Sequence, residues 1–154
     1  MTTDLNKILA RQDYVKLTKS LRDKCDYVED AIRDKMLELE LDGEKKGIGV
    51  NGMNVFCISD CLFIRTPEQE YGPITEYRAV NSNVKDGEEF FDEESDRRFL
   101  CHPCSNKNAL RFLNNAVAII ETLGEIEQKR VDAINKALEA TKDLYNPFAL
   151  PHHG

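Results

Sequence analysis

The chain has 154 residues, of which 41% are hydrophobic and 32% charged, and its formal net charge is −7. This length suffices for a single domain, residues 1–154, with its own core, and the apolar content is too high for a disordered chain. No apolar run reaches the ~18 residues of a membrane span, and the negative charge opposes direct binding to nucleic acid. No apolar stretch of signal-peptide length precedes the first charged segment, so we expect a cytoplasmic protein.

The first part of the chain has helical periodicity. Apolar residues recur at spacings of three, four and seven, which places them on one face of a helix. They are Leu21, Cys25, Val28, Ile32 and Leu39. We predict a helix over about residues 4–41, with a bend or an N-cap at Gln12-Asp13. Gly43 is expected to supply the left-handed residue that follows the helix end.

Residues 46–81 have the pattern of a small antiparallel β-meander. Asn51-Gly52 is a strong hairpin signal because a type I′ turn needs positive φ at both central residues. A second two-residue turn at Ser59-Asp60 would set Ile58 opposite Cys61. Both faces of this hairpin are then apolar, whereas a sheet with one wet face alternates apolar and polar residues. We therefore expect a second cover from another subunit, another part of this chain or a ligand.

Residues 82–96 are rich in acidic side chains and predict a mobile acidic loop. A loop of this kind can dock onto a basic protein surface or imitate a nucleic-acid phosphate array. The candidate partner-binding residues are Glu88, Glu89, Asp92, Glu93, Glu94 and Asp96. Residues 97–101 are predicted to return as a short edge strand.

A second long helix is predicted over about residues 106–145, with a bend at Gly124 and an irregular tail over 146–154. Residues 112–120 carry no charge, which indicates burial on most sides. We interpret this segment as the core of a homo-oligomer, most simply a dimer. The predicted contact residues are Phe112, Leu113, Asn114, Val117 and Ile120. The predicted fold class is α+β, with two long antiparallel helices flanking the meander.

Four of the five cysteines suggest a zinc site as a further hypothesis. Zinc is commonly held by two close pairs of Cys or His ligands, and the candidate pairs are Cys57 with Cys61 and Cys101 with Cys104. A two-residue turn would place Cys57 and Cys61 on opposite faces, whereas a three-residue turn would place them together. A redox dithiol of Cys101 and Cys104 is another interpretation.

Several arginines and aromatic residues fall on or near the predicted sheet. Arginine forks and stacking rings are the groups with which proteins hold phosphorylated bases. The candidate ligand-binding residues are Arg65, Tyr77, Arg78, Arg97 and Arg98. The alternative is that these arginines offset the charge of the acidic loop.

No catalytic motif is recognisable, so we expect that the protein is not an enzyme and needs no cofactor. The first hypothesis is a non-enzymatic acidic protein that binds or inhibits a macromolecular partner. The most specific version of this hypothesis is that its acidic surface imitates nucleic acid. The second is a ligand- or nucleotide-binding module built on the sheet arginines. The third is a zinc-stabilised structural module.

Overall fold

The computed structural model describes residues 4–9, 12–66 and 76–144. The helices are α1 Leu5–Leu9, α2 Gln12–Glu38, α3 Asn106–Asn114 and α4 Ala116–Ala140. The strands are β1 Ile48–Val50, β2 Met53–Ile58, β3 Cys61–Arg65, β4 Glu76–Ala79, β5 Glu88–Asp92 and β6 Arg97–Pro103. A short 3₁₀ turn, Glu44–Lys46, precedes β1. The predicted tail and the segment after β3 lie outside the described residues.

The strands form one six-stranded sheet in the order β1-β2-β3-β4-β6-β5. Neighbouring strands are antiparallel except β4 and β6, which are parallel. The α+β class is confirmed, but the predicted meander is only the first part of a larger mixed sheet. Within the described ranges, no helix combines the length and the apolar content needed to cross a membrane.

Both hairpin turns predicted from the sequence are present. Asn51 and Gly52 have φ of 49° and 79°, and Ser59 and Asp60 have φ of 51° and 63°. The β2–β3 register pairs Ile58 with Cys61, as the two-residue turn requires. Both faces of this hairpin are therefore apolar, and each needs a cover.

The acidic segment forms part of the sheet, so the prediction of a mobile loop over residues 82–96 is wrong. Glu88–Asp92 is an edge strand that pairs with β6. β6 lies between β4 and β5, which also corrects the prediction of an edge strand over residues 97–101. An edge strand tolerates charged residues because one side of it faces water, so its composition resembles that of a loop.

One face of the sheet carries the main core of the protein, beneath the helices. Helices α2, α3 and α4 contribute buried apolar side chains there, and β1, β2 and β3 contribute the opposite wall. The largest fully buried members are Ile32, Met36, Met53, Leu62, Ile64, Phe112, Ile119 and Leu123. Phe112 is thus part of the chain's own core, which corrects its assignment to an oligomer contact.

The other face of the sheet is enclosed by the chain itself. The Phe63 ring of β3 lies 5.5 Å from Phe90 of β5 and 5.4 Å from Phe99 of β6, both edge to face. Because β4 and β6 separate β3 from β5 within the sheet, this contact requires the sheet to curl over its second face. The resulting aromatic core consists of Phe56, Ile58, Phe63, Tyr77, Ala79, Val84, Phe99 and Cys101, with Phe90 and Cys61 at its margin.

Helix α2 and the α3–α4 pair run in the same direction, so the predicted antiparallel arrangement is wrong. Polar contacts between them ascend along both segments: Arg22 to Cys104, Cys25 to Ala109, Lys35 to Glu127 and Leu39 to Arg130. Periodicity identifies the buried face of each helix but not the direction in which two helices pack.

The left-handed residue that follows the end of α2 is Glu40 and not Gly43. Glu40 has φ of 59°, and the Leu41 N–H donates to the Met36 carbonyl at 2.8 Å. This is the six-to-one bond of a Schellman motif, in which the left-handed residue is usually glycine. This preference for glycine is why the sequence alone favours Gly43.

The second long helix breaks at Asn115 and is continuous through Gly124, so the predicted bend is wrong. The Asn115 Oδ1 accepts from the Asn51 side chain at 2.7 Å, and its Nδ2 donates to the Arg111 carbonyl at 2.8 Å. The β1–β2 turn thereby holds Asn115 between α3 and α4. A side chain that bonds to a distant turn cannot be recognised from local helix propensity.

Replacing Gly124 with alanine should raise the free energy of unfolding by about 1 kcal/mol. A Cβ at Gly124 would meet no atom within 4 Å, so the methyl group adds helix propensity without a clash. Urea unfolding of dilute protein measures the change. A lower stability of the Gly124→Ala variant would contradict the straight, uncrowded helix.

Candidate functional site

Carboxylates from separate segments of the chain gather at one end of the sheet. They surround a cleft of about 330 Å³, which we call the acidic cleft. Its lining residues are Asp42, Gly43, Lys46, Ile58, Ser59, Phe91, Asp92, Glu93 and Glu94. Asp42 follows α2, and Ser59 belongs to the β2–β3 turn. Asp92 is the last residue of β5, and Glu93 and Glu94 belong to the β5–β6 turn.

The β5–β6 turn is held in shape by Asp92. This carboxylate is 4% exposed, and it accepts from the Glu94 N–H at 3.0 Å and from the Ser95 hydroxyl at 2.8 Å. Asp92 therefore organises the turn through its own hydrogen bonds. Glu93 and Glu94 are exposed beside it and can contact a partner.

Gly43 allows the β5–β6 turn to approach the end of α2. It has φ of 117°, and a Cβ on it would lie 1.9 Å from Oε2 of Glu94. Its N–H donates to the Cys57 carbonyl at 2.7 Å, which fixes this backbone against β2. The backbone conformation thus requires a glycine, whereas the exposed Glu94 side chain can rotate away from an added Cβ.

The acidic cleft concentrates negative charge. Loss of solvation raises the pKa of Asp42, and the charges of Asp60 and Asp92 raise it further. The charge of Lys46 lowers the same pKa. When neighbouring charges oppose the ionisation of a carboxylate, an approaching cation stabilises its ionised form.

Phe91 adds an apolar surface to the acidic cleft. Its side chain is 42% exposed, while its neighbour Phe90 packs into the aromatic core. The Ser59 hydroxyl donates to the Phe91 carbonyl at 3.2 Å and joins the two turns on either side of the cleft. An exposed ring beside carboxylates offers both apolar contact and a cation–π surface to a basic side chain.

The structure brings together only some of the acidic residues predicted from the sequence. Glu93 and Glu94 meet in the acidic cleft, whereas Glu89 pairs with Arg98 at 3.3 Å. Glu88 accepts from the Lys85 N–H at 3.3 Å. Asp42 and Asp60 were missed because they are distant in sequence, although the predicted turn at Ser59-Asp60 was a usable signal.

No protein-family model matches this chain, and neither a curated protein nor a solved structure matches it. A functional assignment therefore depends on the geometry and charge of the chain itself.

The four cysteines of the zinc hypothesis are divided between the two faces of the sheet. Cys57 and Cys104 lie in the main core, and Cys61 and Cys101 belong to the aromatic core. Burial raises the pKa of both Cys57 and Cys101 to about 12, which opposes the thiolate that zinc binds. Among the described residues, no three His, Cys, Asp or Glu side chains are placed to hold a metal ion.

The predicted ligand-binding residues lie in three separate places. Arg65, Tyr77 and Arg97 meet at Glu44 beside a cleft of about 510 Å³. Arg98 pairs with Glu89. Arg78 lies opposite Ile64, on the face of the sheet that carries the main core.

Glu44 offsets the charge of two arginines in this cluster. The Tyr77 hydroxyl donates to Glu44 at 2.6 Å, and burial together with this bond raises the pKa of Tyr77 to about 12. The Arg65 guanidinium lies 5.1 Å from the centre of the Tyr77 ring. A phosphorylated ligand would compete with Glu44 for the arginines, and binding of a nucleotide stays a prediction.

Proposed function

We propose that this protein is a non-enzymatic interaction module that binds a basic protein surface through the acidic cleft. The observation that carries the proposal is that Asp42 and the β5–β6 turn converge around one opening. Asp60 lies close enough for its charge to raise the pKa of Asp42. The net charge of −7 favours the same class of partner, because it accelerates the approach of a positively charged surface.

The acidic cleft suits a lysine or arginine side chain with an apolar neighbour. Glu93 and Glu94 can form charge-assisted hydrogen bonds with the cation. Phe91 can cover the aliphatic stem of the same side chain. The turn beneath them is ordered before binding, so little conformational entropy is lost when the partner docks.

Three finer expectations stay predictions. They are inhibition by imitation of nucleic acid, a cytoplasmic location and the absence of catalytic activity. Competition between DNA and this protein for an isolated basic partner would test the first of them.

A set of short synthetic peptides with paired basic residues, with and without a central leucine, tests the proposal by fluorescence anisotropy. We expect salt-sensitive binding to the unmodified protein. The combined Asp60→Asn, Glu93→Gln and Glu94→Gln variant should bind between about 3-fold and 150-fold more weakly, since three exposed ion pairs at about 0.2–1 kcal/mol each sum to about 0.6–3 kcal/mol.

A matched control removes the same charge from α4 instead, with Glu121→Gln, Glu125→Gln and Asp132→Asn. The control should bind the peptides as tightly as the unmodified protein does. Equal weakening by both triple variants would show that overall charge attracts the peptides, and the acidic cleft would lose its assigned role.

A further inference from the structure

Helix α4 exposes an apolar face that the described part of the chain does not cover. Its positions are spaced alternately by three and four residues, which is the spacing of a coiled-coil contact. We call it the outer face; it consists of Val117, Ile120, Gly124, Glu127, Val131, Ile134 and Leu138. The exposed fractions are 68% for Val117, 59% for Ile134 and 62% for Leu138.

An adjoining face of α4, about 100° around the helix, packs on the protein's own core and leaves the outer face outside it. Ala116, Ile119 and Leu123 are buried there beneath α2 and the sheet. Beyond Arg130, which bonds to the Leu39 carbonyl, every described α4 residue is exposed. The second half of α4 therefore extends past the domain while its large apolar side chains remain on the outer face.

The first half of the outer face borders a groove between α2 and α4. The groove has a volume of about 250 Å³ and is lined by Ala31, Ile32, Lys35, Ile120, Leu123, Gly124 and Glu127. Glu127 is the one charged position of the outer face, and Lys35 pairs with it at 2.7 Å. An apolar helix can approach closely at Gly124, because this residue has no side chain.

The charge at Glu127 favours one orientation of two such helices. Glu127 belongs to the outer face, whereas Lys129 and Lys136, at about 100° per residue, lie on the far side of α4. A parallel pair would set two Glu127 carboxylates opposite each other across the contact, which costs free energy. An antiparallel pair centred near Gly124 sets each Glu127 beside the partner's Gly124 instead.

We propose that a second copy of this chain covers the outer face, with the two α4 helices antiparallel about a twofold axis near Gly124. Val131 and Ile134 of one copy then pack against Ile120 and Val117 of the other. The C-terminal half of each α4 then covers the N-terminal half of the partner's α4, which borders the groove. Both copies use the same surface, so the contact is self-complementary and closed. This surface is separate from the acidic cleft.

Sedimentation velocity or native mass spectrometry of the full chain tests the proposal. The unmodified protein should be a dimer of twice 17.6 kDa. The Ile134→Lys variant should raise the dissociation constant at least about 100-fold, because two unpaired charges enter the contact. Ala133→Lys adds the same charge at the next residue, outside the outer face, and should leave the dimer intact.

Charge complementation tests the antiparallel orientation. Val117→Glu alone should also give monomers, and a mixture of Val117→Glu with Ile134→Lys should recover a heterodimer, since the two substituted positions then meet. Circular dichroism of each variant checks that it is folded. A monomeric unmodified protein, or an undiminished Ile134→Lys dimer, would overturn the proposal. Monomeric variants that fail to recover on mixing would overturn the antiparallel pairing.

Discussion

Replacing Phe63 with alanine should lower the free energy of unfolding by about 3–5 kcal/mol. Phe63 is fully buried and touches rings from β2, β4, β5 and β6. Removing it would leave a cavity at the centre of the aromatic core and would loosen the contact through which β5 covers the sheet. Urea unfolding measures the loss.

Phe91→Ala is the matched control for Phe63→Ala. Phe91 lies next to Phe90 on β5, but its side chain points out of the aromatic core and is 42% exposed. We expect this control to cost about 1 kcal/mol or less. Equal losses from the two substitutions would mean that the curled sheet does not enclose its second face, and a cover from outside the chain would again be needed.

Replacing Glu29 with glutamine should make the protein more stable at alkaline pH. Glu29 is fully buried, and burial is the largest of the effects that raise its pKa from 4.5 to about 7. Its Oε1 accepts from the Leu62 N–H at 3.4 Å, and its Oε2 accepts from Arg33 at 3.4 Å. Glutamine can retain the acceptor for the Leu62 N–H without carrying a charge into the core.

The sign of the pH dependence follows from proton binding. Between pH 4.5 and about 7 the folded state holds the Glu29 proton more tightly than the unfolded state, so stability falls as pH rises. The loss begins near the unfolded pKa and is complete above the folded pKa, where it amounts to about 3 kcal/mol. Glu29→Gln should match the unmodified protein near pH 4.5 and exceed it by that amount at pH 8.

Asp34→Asn provides the control for Glu29→Gln. Asp34 contacts the same Arg33 at 3.5 Å, but its side chain is 74% exposed. The fall in stability between pH 4.5 and about pH 8 should persist in this variant, because it retains Glu29. If Glu29→Gln were the less stable protein at pH 8, the ion pair with Arg33 would outweigh the burial of the charge.

The features predicted correctly from the sequence are those that depend on neighbouring residues. The Asn51-Gly52 and Ser59-Asp60 turns require positive φ, and each fixes the register of its hairpin. The second long helix was predicted to start at about residue 106, and the hydroxyl of Ser105, just before it, accepts from the Asn108 N–H at 3.2 Å. Such interactions are determined within a few residues of sequence.

The features that were missed depend on contacts between distant segments. Strand β5 is charged because it lies at an edge, and only the packing of Phe90 on Phe63 shows that it belongs to the sheet. The break at Asn115 requires the distant Asn51 as its partner. Only the β5–β6 part of the acidic cleft was predicted, because no local sequence pattern indicates that Asp42 lies near Glu94.

An NMR titration of isotope-labelled protein with one of the paired-basic peptides tests the acidic cleft most directly. We expect amide shifts to concentrate at Asp42, Asp60, Phe91 and Glu93 and added salt to reverse them. Shifts spread evenly over the acidic surface, including Glu121 and Glu125 of α4, would contradict binding at the acidic cleft.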